Sequence, residues 1–544
     1  MTDPSHTTPH HGDRWMLSLP RATLAASALI PAILLGTTGP AVAATNTLSI
    51  TAVNRSGAKV AVTATVVSLA TSQEYRVRTG TKRKLPKGNY AVLASIGSLN
   101  TSTTLGGKTV KVSGASKLTI DARHGKLVRL GLSPAVSGLE STVDAEICSN
   151  TGGGADSEVQ SWGDATRPLY VIPTASKKIA FAAMGTWTDR SGSTDAYATL
   201  YRTTGVPSTP SRTFARSKLA TMTVDSRRGP AGTNYSDVAV QPTHQGCGSY
   251  LYGSLANTDR PTTTKIHLSP GRWDIRGDLS AGAKNGQTWA IGGYTTTRTV
   301  AAGKSYFVRY FGAAWGPGFH VPMTYQGRIS YPLDDMFTDP AFSGLNGNYG
   351  GAAGDKSKAT LKFGGKVVKT AYDKGFGQDG PSLEYKVKKA GWYTLTNSAQ
   401  RYYPEITFPK GMLSTASTVT YRFHAKPNTS VLSPVSAVQQ VPAGLNGYNH
   451  AKAGSSTNVA LRINRHLLWG DVKKGAAPKL KSLTTKASFD GGKTWKTAPV
   501  KKIGGVWTAV VKNPGSGAVS LRTRATYTNT GYTEVTVYRA YGIG

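Results

Sequence analysis

Short stretches of alternating apolar and polar residues, separated by turn-forming residues, recur along this chain after its first 44 residues. Residues 48–53 and 60–66 alternate in this way on either side of a turn that contains Gly57. We find no later apolar run of helical period as long as about 12 residues, the usual minimum for a helix. A two-residue period places every second side chain in a core. The pattern therefore predicts an all-β chain.

The length of the mature chain requires more than one core. Its roughly 500 residues exceed what a single domain usually contains. We predict tandem β-sandwich domains, immunoglobulin/fibronectin-like and prealbumin-like, in four blocks. They are a small sandwich (45–136), a larger sandwich with a disulfide (137–330), a β domain (331–425) and an immunoglobulin/fibronectin-like C-terminal domain (426–544). Whether 137–330 is one domain or two stays open.

The first 44 residues have the three-part pattern of a cleaved signal peptide. A polar stretch ends at Arg21, residues 22–36 are almost wholly apolar, and small residues at 41 and 43 precede Ala44. The apolar run is shorter than the roughly 20 residues that span a bilayer, and Pro31 interrupts it. Residues 1–44 therefore predict secretion, with no integral span in the mature chain; an uncleaved N-terminal anchor is the alternative.

The chain has two cysteines, Cys148 and Cys247. In an oxidising compartment two cysteines favour one disulfide. In the chain-entropy model, a bond that closes a loop of about 100 residues stabilises the folded state by up to roughly 4.7 kcal/mol. Two free structural thiols are the alternative. His244 is close to Cys247, but the surrounding residues are typical of a glycine-rich turn and not of a cysteine nucleophile.

The chain carries a formal net charge of +36, from 64 basic and 28 acidic residues. Block 45–136 has 14 bases and two acids, and block 426–544 has 17 bases and three acids. Such an excess predicts an anionic partner, namely anionic cell-wall polymers such as teichoic acids, or extracellular matrix. Export removes nucleic acid as a specific partner. The candidate polyanion-binding residues are Lys82, Arg83, Lys84 and Lys87, which form the sharpest local cluster, together with Lys501 and Lys502. For the first cluster a solvated loop is the alternative.

Recognisable catalytic motifs are absent from the sequence. It contains no nucleophile-elbow, zinc-protease or phosphate-loop motif, and no His or Cys pair at zinc spacing. We therefore predict no catalytic residue, no metal site and no cofactor. If the protein is an enzyme, the carboxylates to suspect are Asp274, Asp334, Asp335 and Glu405. Asp334, Asp335 and Asp339 could begin a calcium site, although a solvated or turn-capping set is favoured.

One turn in the last block has a specific pattern. Residues 488–495 match the Ser-x-Asp-x-Gly-x-Thr-Trp turn called the Asp box, familiar from sialidase-like propellers. It occurs once, whereas propellers repeat their blades. We therefore interpret it as a stable hairpin turn and expect Trp495 and Trp507 in the core of the C-terminal domain.

Residues 488–495, 519–522 and 538–542, in that order, resemble the end of secreted subtilisin-like serine proteases of actinobacteria. Further landmarks of the same β-rich tail are similar at 85–90, 121–123, 315–317, 413–415 and 445–449. The likeness covers roughly 48–544. The catalytic α/β domain of that family, with its Asp-Ser/Thr-Gly, His-Gly-Thr and Gly-Thr-Ser-Met-Ala motifs, is missing here. The resemblance therefore implies an accessory tail without its enzyme, and a separately encoded secreted protease as a partner.

These observations together predict a secreted, non-catalytic binding or scaffold protein that associates with anionic polymers of the cell envelope. Two alternatives stay open. The first is an accessory or degenerate relative of a secreted serine protease, and the second is a carbohydrate-active β-sandwich protein.

Overall fold

The computed structural model describes most of the chain beyond residue 45. The described residues are 46–98, 100–151, 158–189, 195–229, 234–244, 246–258, 261–282, 288–334, 336–340, 348–351, 355–375, 381–402, 404, 406–465 and 472–544. The predicted signal peptide lies outside them, and so do two of the suspected carboxylates, Asp335 and Glu405.

The described residues are almost entirely strands and their connections, which confirms the all-β prediction. The first strand shows the cause, because Leu48, Ile50 and Ala52 are buried whereas Ser49 and Thr51 between them are half-buried. The helical elements of this part are two short 3-10 helices, Ala122–His124 and Arg216–Lys218. None of the helices described has the length and apolar character needed to cross a membrane.

The strands are numbered in chain order. Those that begin before residue 137 are β1 (Thr47–Val53), β2 (Lys59–Val60), β3 (Thr63–Ser68), β4 (Glu74–Arg78), β5 (Lys82–Lys84), β6 (Gly88–Ser98), β7 (Ser102–Val112), β8 (Ala115–Asp121), β9 (Lys126–Leu127) and β10 (Arg129–Ser133). Those that begin between residues 137 and 330 are β11 (Glu140–Ser149), β12 (Glu158–Asp164), β13 (Leu169–Val171), β14 (Ile179–Thr188), β15 (Asp195–Thr204), β16 (Ser211–Ala215), β17 (Ala220–Ser226), β18 (Asn234–Pro242), β19 (Gly253–Thr258), β20 (Thr262–Leu268), β21 (Gly271–Gly282), β22 (Thr288–Val300), β23 (Ser305–Tyr310), β24 (Met323–Tyr325) and β25 (Arg328–Pro332).

The remaining strands are β26 (Asn348–Gly351), β27 (Asp355–Phe363), β28 (Lys366–Asp373), β29 (Ser382–Lys386), β30 (Gly391–Arg401), β31 (Ala416–Ala425), β32 (Val431–Leu432), β33 (Ala437–Pro442), β34 (His450–Ala451), β35 (Ser456–Asn464), β36 (Leu480–Ser488), β37 (Lys496–Ala498), β38 (Val500–Ile503), β39 (Val506–Lys512), β40 (Gly517–Tyr527) and β41 (Tyr532–Ile543).

The first two sandwiches each enclose a core between two sheets. In the N-terminal one, a sheet of order β4-β3-β6-β7-β13-β9 packs on a sheet of β2, β1, β5 and β8, and Ile50, Val66 and Val92 share its core. In the middle one, a sheet of order β12-β11-β14-β15-β20-β17-β23 packs on one of order β19-β18-β21-β22-β26, around residues such as Ile266 and Ile275. Tandem β-sandwiches are thus confirmed.

The C-terminal half is built on one extended sheet of order β28-β27-β30-β31-β41-β40-β36-β37, which we call the large sheet. Two smaller sheets cover its inner face. Strands β29, β25, β24 and β32 contribute Ile329 and Leu383 to the core that contains Leu395, and strands β33, β35, β39 and β38 contribute Val459 and Leu461. Most of the side chains on the other face of the large sheet are half-buried or exposed.

Hydrogen-bonded strands pair across each predicted block boundary. Strand β7 pairs with β13 beyond residue 136, β22 pairs with β26 beyond residue 330, and β31 pairs with β41 beyond residue 425. The four blocks stay a prediction as domains. Because β31 and β41 are neighbours in the large sheet, a chain that ended at residue 425 would lose the partner of β31.

The predicted disulfide is present between Cys148 and Cys247. Cys148 lies at the end of β11 and Cys247 in the turn after β18, and both side chains are buried. The bond therefore ties the two sheets of the middle sandwich together.

Candidate functional site

Three of the predicted polyanion-binding residues, Lys82, Arg83 and Lys84, form the short strand β5. This strand pairs with β1 and lies at the edge of its sheet. All three side chains are exposed, as is Lys87 just beyond the strand. Charged residues on an edge strand also prevent strand addition by another chain, so this arrangement has a structural use as well.

The strand register places a further cation, Lys117, beside this cluster, although the sequence did not predict it. Ser49 of β1 lies opposite Lys82 on one side and opposite Lys117 of β8 on the other. Side chains directly opposite each other point to the same face of a sheet. Lys117 is exposed, so it extends the cluster across the outer face of the N-terminal sandwich. Lys117 is far from Lys82 in the sequence, so no local sequence pattern indicates that the two belong to one cluster.

The second predicted cluster also lies on an edge strand. Lys501 and Lys502 belong to β38, the last strand of its sheet, and both are exposed. The Lys502 ammonium lies 5.1 Å from the ring centre of Trp507 on β39, within the range of a cation–π contact. The same hairpin exposes 40% of Ile503 and 47% of Val506. The structure does not bring this cluster and the one on β5 into a shared sheet.

The described carboxylates suspected from the sequence do not gather into a site. Asp274 accepts a hydrogen bond from the Thr297 hydroxyl at 2.6 Å. Asp339 is fully buried and accepts one from the Gly312 backbone N–H at 2.8 Å. Within the described part of the chain, neither Asp334 nor Asp339 joins a cluster with metal-ligand geometry.

Two carboxylates that the sequence did not predict to be neighbours face each other in the middle sandwich. Asp237 of β18 is directly opposite Asp278 of β21. Burial raises the pKa of both groups, and the negative charge of Asp237 adds to this, so that the pKa of Asp278 is about 6. The Ser254 hydroxyl donates to Asp237 at 2.7 Å. Two neighbouring acids with raised pKa values titrate as a pair and can share a proton.

Another buried carboxylate lies beside the disulfide. Glu146 is 1% exposed, and its Oε1 accepts a hydrogen bond from the Gly248 N–H at 3.0 Å and lies 2.7 Å from the Cys148 sulfur. Its Oε2 has no hydrogen-bond partner among the described residues. Burial raises the Glu146 pKa to about 7. Glu146 and the two cysteine sulfurs lie close enough to hold a metal ion, but in the disulfide the sulfurs are not thiolate ligands.

The Asp-box turn satisfies its own polar groups. Asp490 Oδ1 accepts hydrogen bonds from the Ser488 hydroxyl and from the backbone N–H groups of Lys493 and Thr494. These bonds hold the pKa of Asp490 well below its usual range. The prediction that Trp495 lies in the core is wrong, because its half-buried ring lies against Arg522. Trp507 is half-buried and packs against the core.

Comparisons with known proteins find no family whose profile matches this chain and no curated protein that matches it. Among solved structures, a mutant Salmonella alpha-2-macroglobulin is similar over 88% of this chain, with 10% identity and a TM-score of 0.17. This chain spans 37% of that protein's length. Immunoglobulin domains 1–4 of Sidekick-1 align with 76% of this chain and 96% of their own, with 10% identity and a TM-score of 0.12. Scores this low leave the function to be argued from the residues of this chain.

Proposed function

We propose that this protein is a secreted, non-catalytic binding or scaffold protein that attaches to anionic polymers of the cell envelope. The observation that carries the proposal is the exposure of both cation clusters on edge strands, in a chain with a net charge of +36. Exposed lysine and arginine attract a polyanion over roughly a Debye length, about 8 Å at physiological salt. The signal-peptide pattern supports the proposal, because it predicts that this charge acts outside the cell.

The resemblance to protease tails fits the same proposal. A β-rich tail that holds an enzyme at the cell envelope would serve the same purpose when exported alone. A separately encoded secreted protease is then a second partner, and co-purification from culture supernatant tests it.

Neutralising the two edge clusters is expected to weaken binding to cell walls. We expect the K82Q/R83Q/K84Q/K87Q variant to bind isolated walls more weakly than the native protein at low salt, because four cations of one exposed cluster are lost. Co-sedimentation with walls measures the bound fraction. K501Q/K502Q should weaken binding less, since it removes two charges.

The control is a wall preparation from which the anionic polymers have been extracted. Equal binding of native protein to both preparations would contradict the proposal. Point variants are preferable to a deletion of 426–544, which would remove β41 from beside β31.

A second candidate function, hydrolysis of a glycan, is favoured by the Asp237 and Asp278 pair. Glycosidases use two neighbouring carboxylates, one of which is kept protonated by a raised pKa. A glycan panel tests this candidate, with D278N as the inactive variant and D274N as the matched control on the same strand. Failure to hydrolyse any glycan in the panel would count against it.

The two acids are expected to titrate together. Replacing Asp237 with Asn removes a negative charge opposite Asp278, so the pKa of Asp278 should fall from about 6 towards the ordinary aspartate range. Carboxyl NMR titration of the native protein and D237N measures it. An unchanged Asp278 pKa would show that burial alone causes the shift.

A further inference from the structure

The outer face of the large sheet is lined by outward side chains of β27, β28, β30, β31, β41, β40 and β36. Along β31 the alternation is strict, with Val419, Tyr421 and Phe423 buried and with Arg422 and His424 half-buried on the outer face. The two smaller sheets contribute to the core on the inner side. The outer face is thus a broad surface that no described strand covers.

Cross-strand register places the cations of this face in rows. One row runs from Lys358 through Ser398, Thr418, Thr536 and Arg522 to Lys486. It crosses five strand spacings of about 4.8 Å, which gives roughly 24 Å. Arg524 lies in the next row, and Lys362 and Arg422 lie in the row beyond it. A compact anion would meet one or two of these groups, whereas an extended polymer would meet most of them.

Opposite charge is scarce on this face. The cations at its outward strand positions are Lys356, Lys358, Lys362, Arg422, Lys486, Arg522 and Arg524. Among the described outward positions the carboxylate is Glu534, whose Oε2 lies 3.8 Å from an Arg524 nitrogen. The face is therefore strongly cationic, although the sequence reading placed no binding residue on it.

Three of the arginines contact aromatic rings within cation–π distance. The guanidinium carbon is 4.3 Å from the ring centre of Trp392 for Arg422, 4.1 Å from that of Trp495 for Arg522, and 3.8 Å from that of Tyr532 for Arg524. The ring contact restricts the long side chain before any ligand arrives. Arg422 Nη1 also donates to the Thr530 carbonyl at 2.6 Å, and Arg522 Nε donates to the Thr536 hydroxyl at 3.2 Å. Each guanidinium carries five N–H donors, so those outside these bonds can donate to a carboxylate or sulfate. A pre-ordered side chain loses less conformational entropy on binding.

Hydroxyl groups occupy much of the remaining surface. The hydroxyls of Thr396 and Thr420 are 3.1 Å apart, and the Thr418 hydroxyl donates to that of Ser398 at 3.2 Å. Further half-buried or exposed threonines at outward positions are Thr360, Thr370, Thr394, Thr484 and Thr526. Each hydroxyl can both donate and accept, as can the hydroxyl of a sugar.

We propose that the outer face of the large sheet binds an extended acidic polysaccharide. The carboxylate or sulfate groups of the polymer pair with the arginines and the lysines, and its hydroxyls bond to the threonines between them. The cation-bearing strands β27, β31 and β40 are each two positions apart, about 10 Å, so the anionic groups of a chain lying across the strands are met in succession. This inference rests on the proposed polyanion binding and names its ligand class and principal surface.

The test compares two variants that remove equal charge from different surfaces. R422Q/R524Q alters the outer face, and K177Q/K178Q alters an exposed turn before β14, outside both edge clusters and the large sheet. Calorimetric titration with polygalacturonate at low salt should show roughly tenfold weaker binding for R422Q/R524Q and less than about twofold for K177Q/K178Q. R422K retains the charge but loses the planar fork, so it should weaken binding part-way. Thermal unfolding of each variant checks that the fold is intact.

The outcomes separate this inference from the function on which it rests. Equal weakening in both double variants would overturn the outer face as the site and leave polyanion binding in place. Polyphosphate or DNA bound by native protein as tightly as polygalacturonate would overturn the saccharide assignment. Native protein that binds none of these polymers at low salt would overturn the proposed function itself. Binding of uncharged dextran as tight as that of polygalacturonate would contradict the charge pairing.

Discussion

Replacing Cys148 and Cys247 with alanine is expected to lower the free energy of unfolding of the middle sandwich by about 4 kcal/mol. The two cysteines are 99 residues apart in sequence, so the bond removes many conformations from the unfolded chain. Both are buried, at 0% and 3% exposure, which means that truncation also leaves space in the core. This is the largest effect that we expect from substitutions outside the binding surfaces.

Urea unfolding measures this loss, followed by the fluorescence of Trp162 on β12 and Trp187 on β14, the two strands that flank β11 in the same sandwich. A reducing agent should lower the unfolding midpoint of the native protein and leave that of C148A/C247A unchanged, which makes the double variant its own control. A native protein in which thiol titration finds two free cysteines would contradict the disulfide account.

Replacing Glu146 with glutamine is expected to remove a pH dependence of stability. The carboxyl titrates near 4.5 in the unfolded chain and near 7 in the folded protein, where it is buried. Between these values the folded state binds more protons, so the free energy of unfolding falls as the pH rises from about 4.5 to about 7. A shift of this size corresponds to roughly 3 kcal/mol. Glutamine carries no charge at any pH, so in E146Q this residue does not lower the free energy of unfolding as the pH rises.

The measurement is urea unfolding of native protein and E146Q at pH 4.5 and at pH 8. The variant should gain stability relative to the native protein between the two values. Asp144 on the same strand also has a pKa raised by burial, to about 7, and it is present in both proteins, so the comparison isolates Glu146. E140Q changes an exposed side chain at the start of β11 and is the matched control. A difference between E146Q and native protein that does not change with pH would show that folding does not raise the Glu146 pKa.

The features that could be predicted from the sequence depend on a local residue pattern or on the number of cysteines. Period-two alternation identified strands such as β1 and β31, and a pair of cysteines was enough to predict the disulfide. The cation clusters on β5 and β38 were visible because their members are adjacent in sequence. The residues of each strand and cation cluster lie within a few positions of one another in sequence. Each cysteine has only one possible partner.

The features that were missed depend on strand order and register. Arg422 and Arg524 lie on strands that are separated by about 100 residues but are second neighbours in the large sheet. Asp237 and Asp278 are likewise opposite each other only because β18 pairs with β21. A single sequence shows which face of a strand is buried, but not which strand lies beside it. The burial of Trp495 was misjudged because its ring lies against Arg522 instead of entering the core.

If surface cations hold this protein to an extracellular polyanion, the affinity must depend on the salt concentration. Purified mature protein is titrated with isolated cell walls and with polygalacturonate from about 50 to 200 mM salt. Release of counterions from a polyanion makes the logarithm of the affinity fall linearly with the logarithm of the salt concentration. We expect such a fall, with a smaller slope for R422Q/R524Q. An affinity that does not change with salt, or an absence of binding at low salt, would rule out attachment through surface cations.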